Sequence, residues 1–240
     1  MNLAVVVGNT FIKAGVFDKE ELVTFSSNIN EAALIDLFSK IRPEHLIISS
    51  VGENPSALAA CLSPVKSKIL LNASTKVPLI NLYQSPQTLG VDRVAAAVGA
   101  SYLYPQTDRL VIDAGTCITY DFIDSKDQYF GGGISPGIEL RFKALNTFTK
   151  KLPLVHRSEQ VELIGSNTEK SILSGVINGV LGEVEGIINQ YKSKYSGIKI
   201  IICGGDSSFF ESKIKQTIFA VPELVIIGLN RILEYNVSEA

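Results

Sequence analysis

The sequence predicts an α/β fold built from two similar halves, residues 1–105 and 106–240. Three observations predict it. One pattern is written twice, about a hundred residues apart: Leu3 to Val7 runs into Gly8-Asn9-Thr10 and a second apolar stretch, Phe11 to Phe17, while Leu110 to Ala114 runs into Gly115-Thr116 and Cys117 to Phe122. Each copy reads as strand, glycine-bearing turn and returning strand. Each copy is followed by a third short strand, then by segments of helical period alternating with continuous apolar runs, as in a sheet covered by helices. Finally, 46% of the residues are hydrophobic, enough to bury a core and too many for a disordered chain.

Taken in order, residues 3–7 are a buried strand and 11–17 its antiparallel return, with a turn near Asp18-Lys19-Glu20 and a third strand over Leu22 to Ser26. Asn30 to Lys40 carries Ala33, Leu34, Leu37 and Phe38 at helical spacing. His45 to Val51 is continuous enough for a central parallel strand; Pro55 to Cys61 suits a helix and Lys68 to Leu71 another strand. Around residue 90 the chain turns helical, with Ala95, Ala96, Ala97 and Ala100 permitting close packing until Pro105. The second half repeats the order: a hairpin at 110–123, a third strand from Gln128 to Phe130, and a long helical stretch. Gly131 to Gly137 is too glycine-rich for a regular element and reads as a mobile loop over a ligand. Residues 171–195 form a helix in which Gly175, Gly179 and Gly182 recur, so another helix can approach closely, within one subunit or across a dimer interface. Lys199 to Cys203 is a strand ending at Gly204-Gly205-Asp206, and Val225 to Leu233 includes the closing helix. Two copies of a three-stranded meander followed by helices and parallel strands describe the duplicated ribonuclease-H-like fold of actin-like ATPases and sugar kinases, whose halves surround a nucleotide cleft.

A formal net charge of -2 gives no electrostatic reason to expect nucleic acid or an anionic membrane. The local basic group Lys143, Lys150 and Lys151 reads as a solvated helix face. Cys61, Cys117 and Cys203 are odd in number, far apart and beside apolar segments, so reduced, buried thiols are expected. No positive stretch precedes the first apolar run, and no segment approaches the roughly 20 apolar residues that cross a bilayer. A soluble cytoplasmic protein is the expectation.

Four motifs carry chemistry. Gly8-Asn9-Thr10 offers a tight turn and side-chain hydrogen bonds, with Lys13 placed to neutralise a phosphate. As a single motif it is also an ordinary hairpin turn, but its echo at Gly115-Thr116 favours phosphate binding. No GxxxxGK[ST] loop occurs, so a nucleotide is held in another way. Gly90-Val91-Asp92-Arg93 puts an acid beside an arginine at a helix start, a base plus a clamp for a carboxylate, or a structural helix start. Asp113 ends an apolar strand, where a carboxylate is costly unless it faces a cation or donors. Gly204-Gly205-Asp206 brings backbone near a flat nucleoside or makes a plain strand-to-helix turn.

Together these motifs resemble the type III pantothenate kinases nearly end to end: Gly8-Asn9-Thr10 with Lys13, Gly90-Val91-Asp92-Arg93, Asp113-Ala114-Gly115-Thr116, Gly131-Gly132 with Pro136-Gly137, Gly165 with Asn167-Thr168, and Gly204-Gly205-Asp206. Leu145, Leu152-Pro153, Glu223-Leu224 and Gly228-Leu229 also sit where the family pattern has them. The resemblance implies transfer of the ATP γ-phosphate to the primary hydroxyl of pantothenate in coenzyme A synthesis. It implies Asp92 as general base, Arg93 on the pantothenate carboxylate, and Tyr83, Gly90, Val91 and Thr168 as further substrate contacts. Gly8, Asn9, Thr10, Lys13 and Thr116 match nucleotide contacts, and Asp113 matches a ligand for potassium or ammonium, required besides magnesium. The family is homodimeric, with the pantothenate site near the interface, which gives the glycine-spaced helix a purpose.

One position departs. The family pattern has Asp two residues before Gly8, and this chain has Val6, which neither accepts a hydrogen bond nor binds a cation. Two other readings therefore stand beside the kinase: a non-catalytic relative that binds nucleotide or pantothenate as a regulatory protein, and another actin-like small-molecule phosphotransferase.

Overall fold

The computed structural model describes residues 1–8, 11–50, 55–158 and 160–238. The chain divides into two compact units. The first comprises Met1–Gln106, Ile123–Gly131 and Glu223–Ala240; the second comprises Thr107–Phe122 and Gly132–Pro222. This differs from a single cut after residue 105, because the chain returns to the first unit for 123–131 and for its C-terminal helix.

The first unit is built on a five-stranded sheet of β1 (Asn2–Val7), β2 (Ile12–Asp18), β3 (Glu21–Ile29), β4 (His45–Ser50) and β5 (Ser67–Leu70), in the order β3-β2-β1-β4-β5. β1, β2 and β3 form an antiparallel meander, while β4 and β5 continue parallel to β1. Alternation along β1 separates two cores. Leu3 and Val5 face Leu34 and Phe38 of α1 (Glu31–Ile41) and Leu58 of α2 (Ser56–Cys61). Ala4 and Ile47 face α3 (Val91–Leu103) and α7 (Leu224–Ser238). Asn30 starts α1 as its cap, its side chain accepting from the Ala33 N–H at 2.9 Å. Leu3, Leu34, Leu46 and Ile48 are fully buried, each worth about 1.5–3 kcal/mol of transfer free energy.

A second sheet holds β6 (Ile80–Asn81), β7 (Arg109–Ala114), β8 (Cys117–Ile123), β9 (Gln128–Pro136), β10 (Lys199–Cys203) and β11 (Phe219–Ala220), in the order β11-β10-β7-β8-β9-β6. Set β6 aside and this is the order of the first sheet again: third strand, second, first, fourth, fifth. The sequence duplication is thus a duplication of topology. The core of the second unit packs β7, β8 and β10 against α4 (Ile138–Phe148), α5 (Thr168–Lys194) and α6 (Ser207–Lys213).

Three expectations change. The glycine run is not a loop: β9 continues through Pro136. Its glycines answer to space, since a Cβ on Gly132 would overlap the Tyr120 carbonyl oxygen and one on Gly131 the Tyr83 ring. The thiols are free, but Cys61 and Cys117 are exposed and only Cys203 is buried. Among the described residues α5 alone is long and apolar enough to cross a membrane, longer than any apolar run the sequence suggested. Its apolar side chains have another use. Ile172, Val176, Val180, Val184 and Ile188, spaced by four, are buried in the core of the second unit.

Candidate functional site

In the first unit Tyr83, Gly90, Val91, Asp92 and Arg93 come together at the start of α3. Gly90 is the cap residue and exposed, and a Cβ there would crowd Asp92 Oδ1 at 2.5 Å. Val91 is the first helical residue and half-buried. Asp92 lies in the first turn, where the helix dipole favours a carboxylate, and its Oδ1 accepts from the Arg93 N–H at 2.9 Å. Arg93 is 7% exposed, an unusual depth for a guanidinium, which lies 5.7 Å from the centroid of the Tyr83 ring. Tyr83 is held from two sides: its ring rests against Gly131 and lies 6.3 Å from that of Tyr129, and its N–H donates to Asn81 Oδ1 at 3.0 Å.

The first hairpin carries the other group in this unit. The Gly8 N–H, just after β1, donates to the carbonyl of Phe11, just before β2, at 3.1 Å. Lys13 is half-buried on β2, in register with Val6. Asn9 and Thr10 lie outside the described residues.

The second unit places Asp113 and Thr116 on the matching hairpin. Asp113 is half-buried near the end of β7, in register with Cys203. Gly204 takes a φ of +89° and packs so near Asp113 Oδ1 and the Ala114 carbonyl that no side chain fits there. Thr116 is exposed, and its carbonyl accepts from the Gly137 N–H at 2.9 Å. Thr168 opens α5 one residue after the cap Asn167, whose side chain accepts from the Lys170 N–H. Asp206 is engaged, accepting from Arg157 Nη1 at 2.7 Å.

Sequence reasoning missed the network behind the second hairpin. Arg141 donates to the Pro136 carbonyl, to Ser135 Oγ and to Glu183 Oε2, while Tyr120 donates to Glu183 Oε1. Burial raises the Glu183 pKa, but hydrogen bonds from Arg141, Ser135 and Tyr120 outweigh it and hold the carboxyl below its ordinary range. Burial and then Glu183 push the Tyr120 hydroxyl well above its own ordinary value, so it remains a donor. The available signal was an acid set between Val180 and Val184 on an otherwise apolar helix face.

Donor chemistry bears on the ions. Among the described residues no group of three or more His, Cys, Asp or Glu could hold a metal ion. A magnesium ion there would depend on phosphate and water oxygens, which suits its habits. Asp113 Oδ1 and the Ala114 carbonyl both lie close to Gly204, and that carbonyl accepts from the Asp206 N–H at 2.9 Å.

The sequence model of the type III pantothenate kinase family matches residues 2–190. A type III pantothenate kinase of Cytophaga hutchinsonii is 44% identical over 99% of this chain and 100% of its own length. That of Phocaeicola vulgatus is 46% identical over 98% of this chain and 99% of its own length. The crystal structure of a glucokinase from an Antarctic psychrotroph covers 98% of both chains with a TM-score of 0.54 at 12% identity, a likeness of fold alone. The fold is that of the actin-like ATPases and sugar kinases, and the chain belongs to the type III pantothenate kinase family.

Proposed function

We propose that the chain phosphorylates pantothenate to 4'-phosphopantothenate with ATP, the first step of coenzyme A biosynthesis. The observation that carries the site assignment is the contrast between two consecutive residues of α3. Arg93 is buried against Tyr83, whereas Asp92 is half-exposed with Oδ1 held by a backbone N–H. A buried, aromatic-backed guanidinium suits a carboxylate, which pantothenate carries. Asp92 takes the proton of the primary hydroxyl through Oδ2 as that oxygen attacks the γ-phosphorus and ADP leaves. Tyr83, Gly90, Val91 and Thr168 complete the acceptor contacts. Gly8, Asn9, Thr10, Lys13 and Thr116 serve the nucleotide, whose phosphates bring magnesium, and Asp113 takes potassium or ammonium.

The working form is a homodimer in the cytoplasm. Supporting the dimer, Gly175, Gly179, Gly182 and Gly186 each face open space on α5, and Gly175 lines a groove of about 960 Å³ together with Leu140, Leu145 and Phe148. Free Cys61, Cys117 and Cys203 suit a reducing compartment. No observation favours nucleic acid or a membrane as a partner.

The test is ADP release with magnesium-ATP and potassium or ammonium, with and without pantothenate, for the native chain and Asp92→Asn. Pantothenate-dependent release that falls about 10²–10⁴-fold in the variant supports the assignment. Absence of release from folded native protein overturns the kinase reading, and an unaffected Asp92→Asn removes Asp92 as base.

A further inference from the structure

Strand β1 ends with a valine set between two polar side chains. Val6 is in register with Lys13 across the antiparallel β1–β2 ladder and with Ser49 across the parallel β1–β4 ladder. In-register neighbours stand on one face of a sheet, here the face whose core contains Ala4, Ile47 and Ala95, against which Val6 packs. Ser49 is 0% exposed, and its hydroxyl has no hydrogen-bond partner among the described residues. Lys13 is half-buried, and no carboxylate pairs with it among the described residues. An ammonium with no carboxylate beside it is open to pair with an anion that comes to this end of the sheet. Valine at position 6 cannot be that anion. A carboxylate there would face Lys13 on one strand and the idle Ser49 hydroxyl on the other.

We propose that Val6 is a specificity-determining residue that withholds a counter-charge from Lys13, leaving the ammonium to neutralise the nucleotide phosphates directly. Nucleotide binding at this hairpin then depends strongly on Lys13 and weakly on a divalent ion, since either kind of cation offsets phosphate charge. The inference rests on the reading that the Gly8–Lys13 hairpin receives the nucleotide.

The test is equilibrium binding of ATP, by calorimetry, with magnesium and with EDTA, for the native chain, Lys13→Gln, Val6→Asp and Val6→Asn. Native affinity is expected to change by less than about tenfold on chelation, whereas Lys13→Gln loses about 10- to 100-fold in EDTA. Val6→Asp is expected to lose a similar factor in EDTA and recover it with magnesium, because its carboxylate occupies Lys13. Val6→Asn, similar in size to aspartate but uncharged, is expected to bind like the native chain. Native binding that collapses more than about 100-fold in EDTA, or Lys13→Gln that binds as tightly as native, overturns the proposal. If Val6→Asp does not fold, Val6→Glu, which also brings a carboxylate to this position, takes its place with the same expected outcome. Failure of the kinase reading looks different: ATP binding keeps its Lys13 dependence while pantothenate elicits no ADP.

Discussion

The guanidinium of Arg93 lies over the ring of Tyr83, 5.7 Å from its centroid, and both side chains belong to the first unit. Tyr83 in turn rests on Gly131, which has no side chain to hold it off. The burial of Arg93, at 7% exposed, and the nearby ring limit the rotamers open to the arginine.

Arg93→Lys keeps the charge and loses the planar fork. The KM for pantothenate is expected to rise about 10- to 100-fold, with a smaller change in kcat. The control is the corresponding alcohol, which has no carboxylate: its KM should be equal in the two proteins. Steady-state kinetics on both acceptors checks this.

Much of the fold was legible because strand and helix periods are local. The repeated hairpin, the helix capped by Asn30 and the buried strand over His45–Ser50 all follow from residues near in sequence. Asp92 and Arg93 were visible for the same reason, being adjacent. The glycine run misled because sequence gives a glycine's freedom but not its neighbours; Gly132 is in β9 to let the Tyr120 carbonyl approach. Glu183, Arg141 and Tyr120 meet from three elements up to 63 residues apart, so no local pattern announces them.

Gly228 of α7 meets α3 backbone to backbone: a Cβ on Gly228 would overlap the Ala95 carbonyl oxygen, and one on Gly99 the Leu224 carbonyl oxygen. Gly228→Ala must push the two helices apart. The expected cost is about 1–3 kcal/mol or more, since backbone yields less readily than side chains. Ala95 is two residues beyond Arg93, so the displacement should also raise the KM for pantothenate. Thermal melting together with kinetics checks both effects, and a melting loss with unchanged KM would separate stability from acceptor binding.

Glu183 gives the second unit a pH dependence whose sign is fixed by its lowered pKa. A carboxyl with a depressed folded pKa stabilises above its unfolded value, about 4.3, and that contribution disappears as pH falls through the folded value. Glu183→Gln should therefore be less stable than the native chain by about 1–3 kcal/mol at neutral pH. The difference should shrink below about pH 4. The same variant loosens Arg141 from Pro136 and Ser135, next to the Gly137 N–H that holds Thr116. A raised KM for ATP, with the KM for pantothenate unchanged, is the expected kinetic signature. Denaturant melts across pH and the two KM values check it.

The glycines of α5 allow the proposed homodimer to be tested with little harm to the chain that carries them. A Cβ at Gly175, Gly179, Gly182 or Gly186 meets nothing within 4 Å among the described residues, so a side chain can start from each of these positions without overlap. In a helix interior such a change is favourable by up to about 1 kcal/mol, because glycine is a poor helix former. Gly179→Leu is therefore expected to leave the melting temperature of the isolated chain unchanged or higher. If a second copy packs against this stripe, the same leucine fills the space its backbone needs, and the dimer gives way to monomer. Light scattering coupled to size-exclusion chromatography reads the outcome directly. A Gly179→Leu protein that remains dimeric would place the interface elsewhere. One that becomes monomeric while keeping its helix content would assign the interface to α5, whose first residue is Thr168.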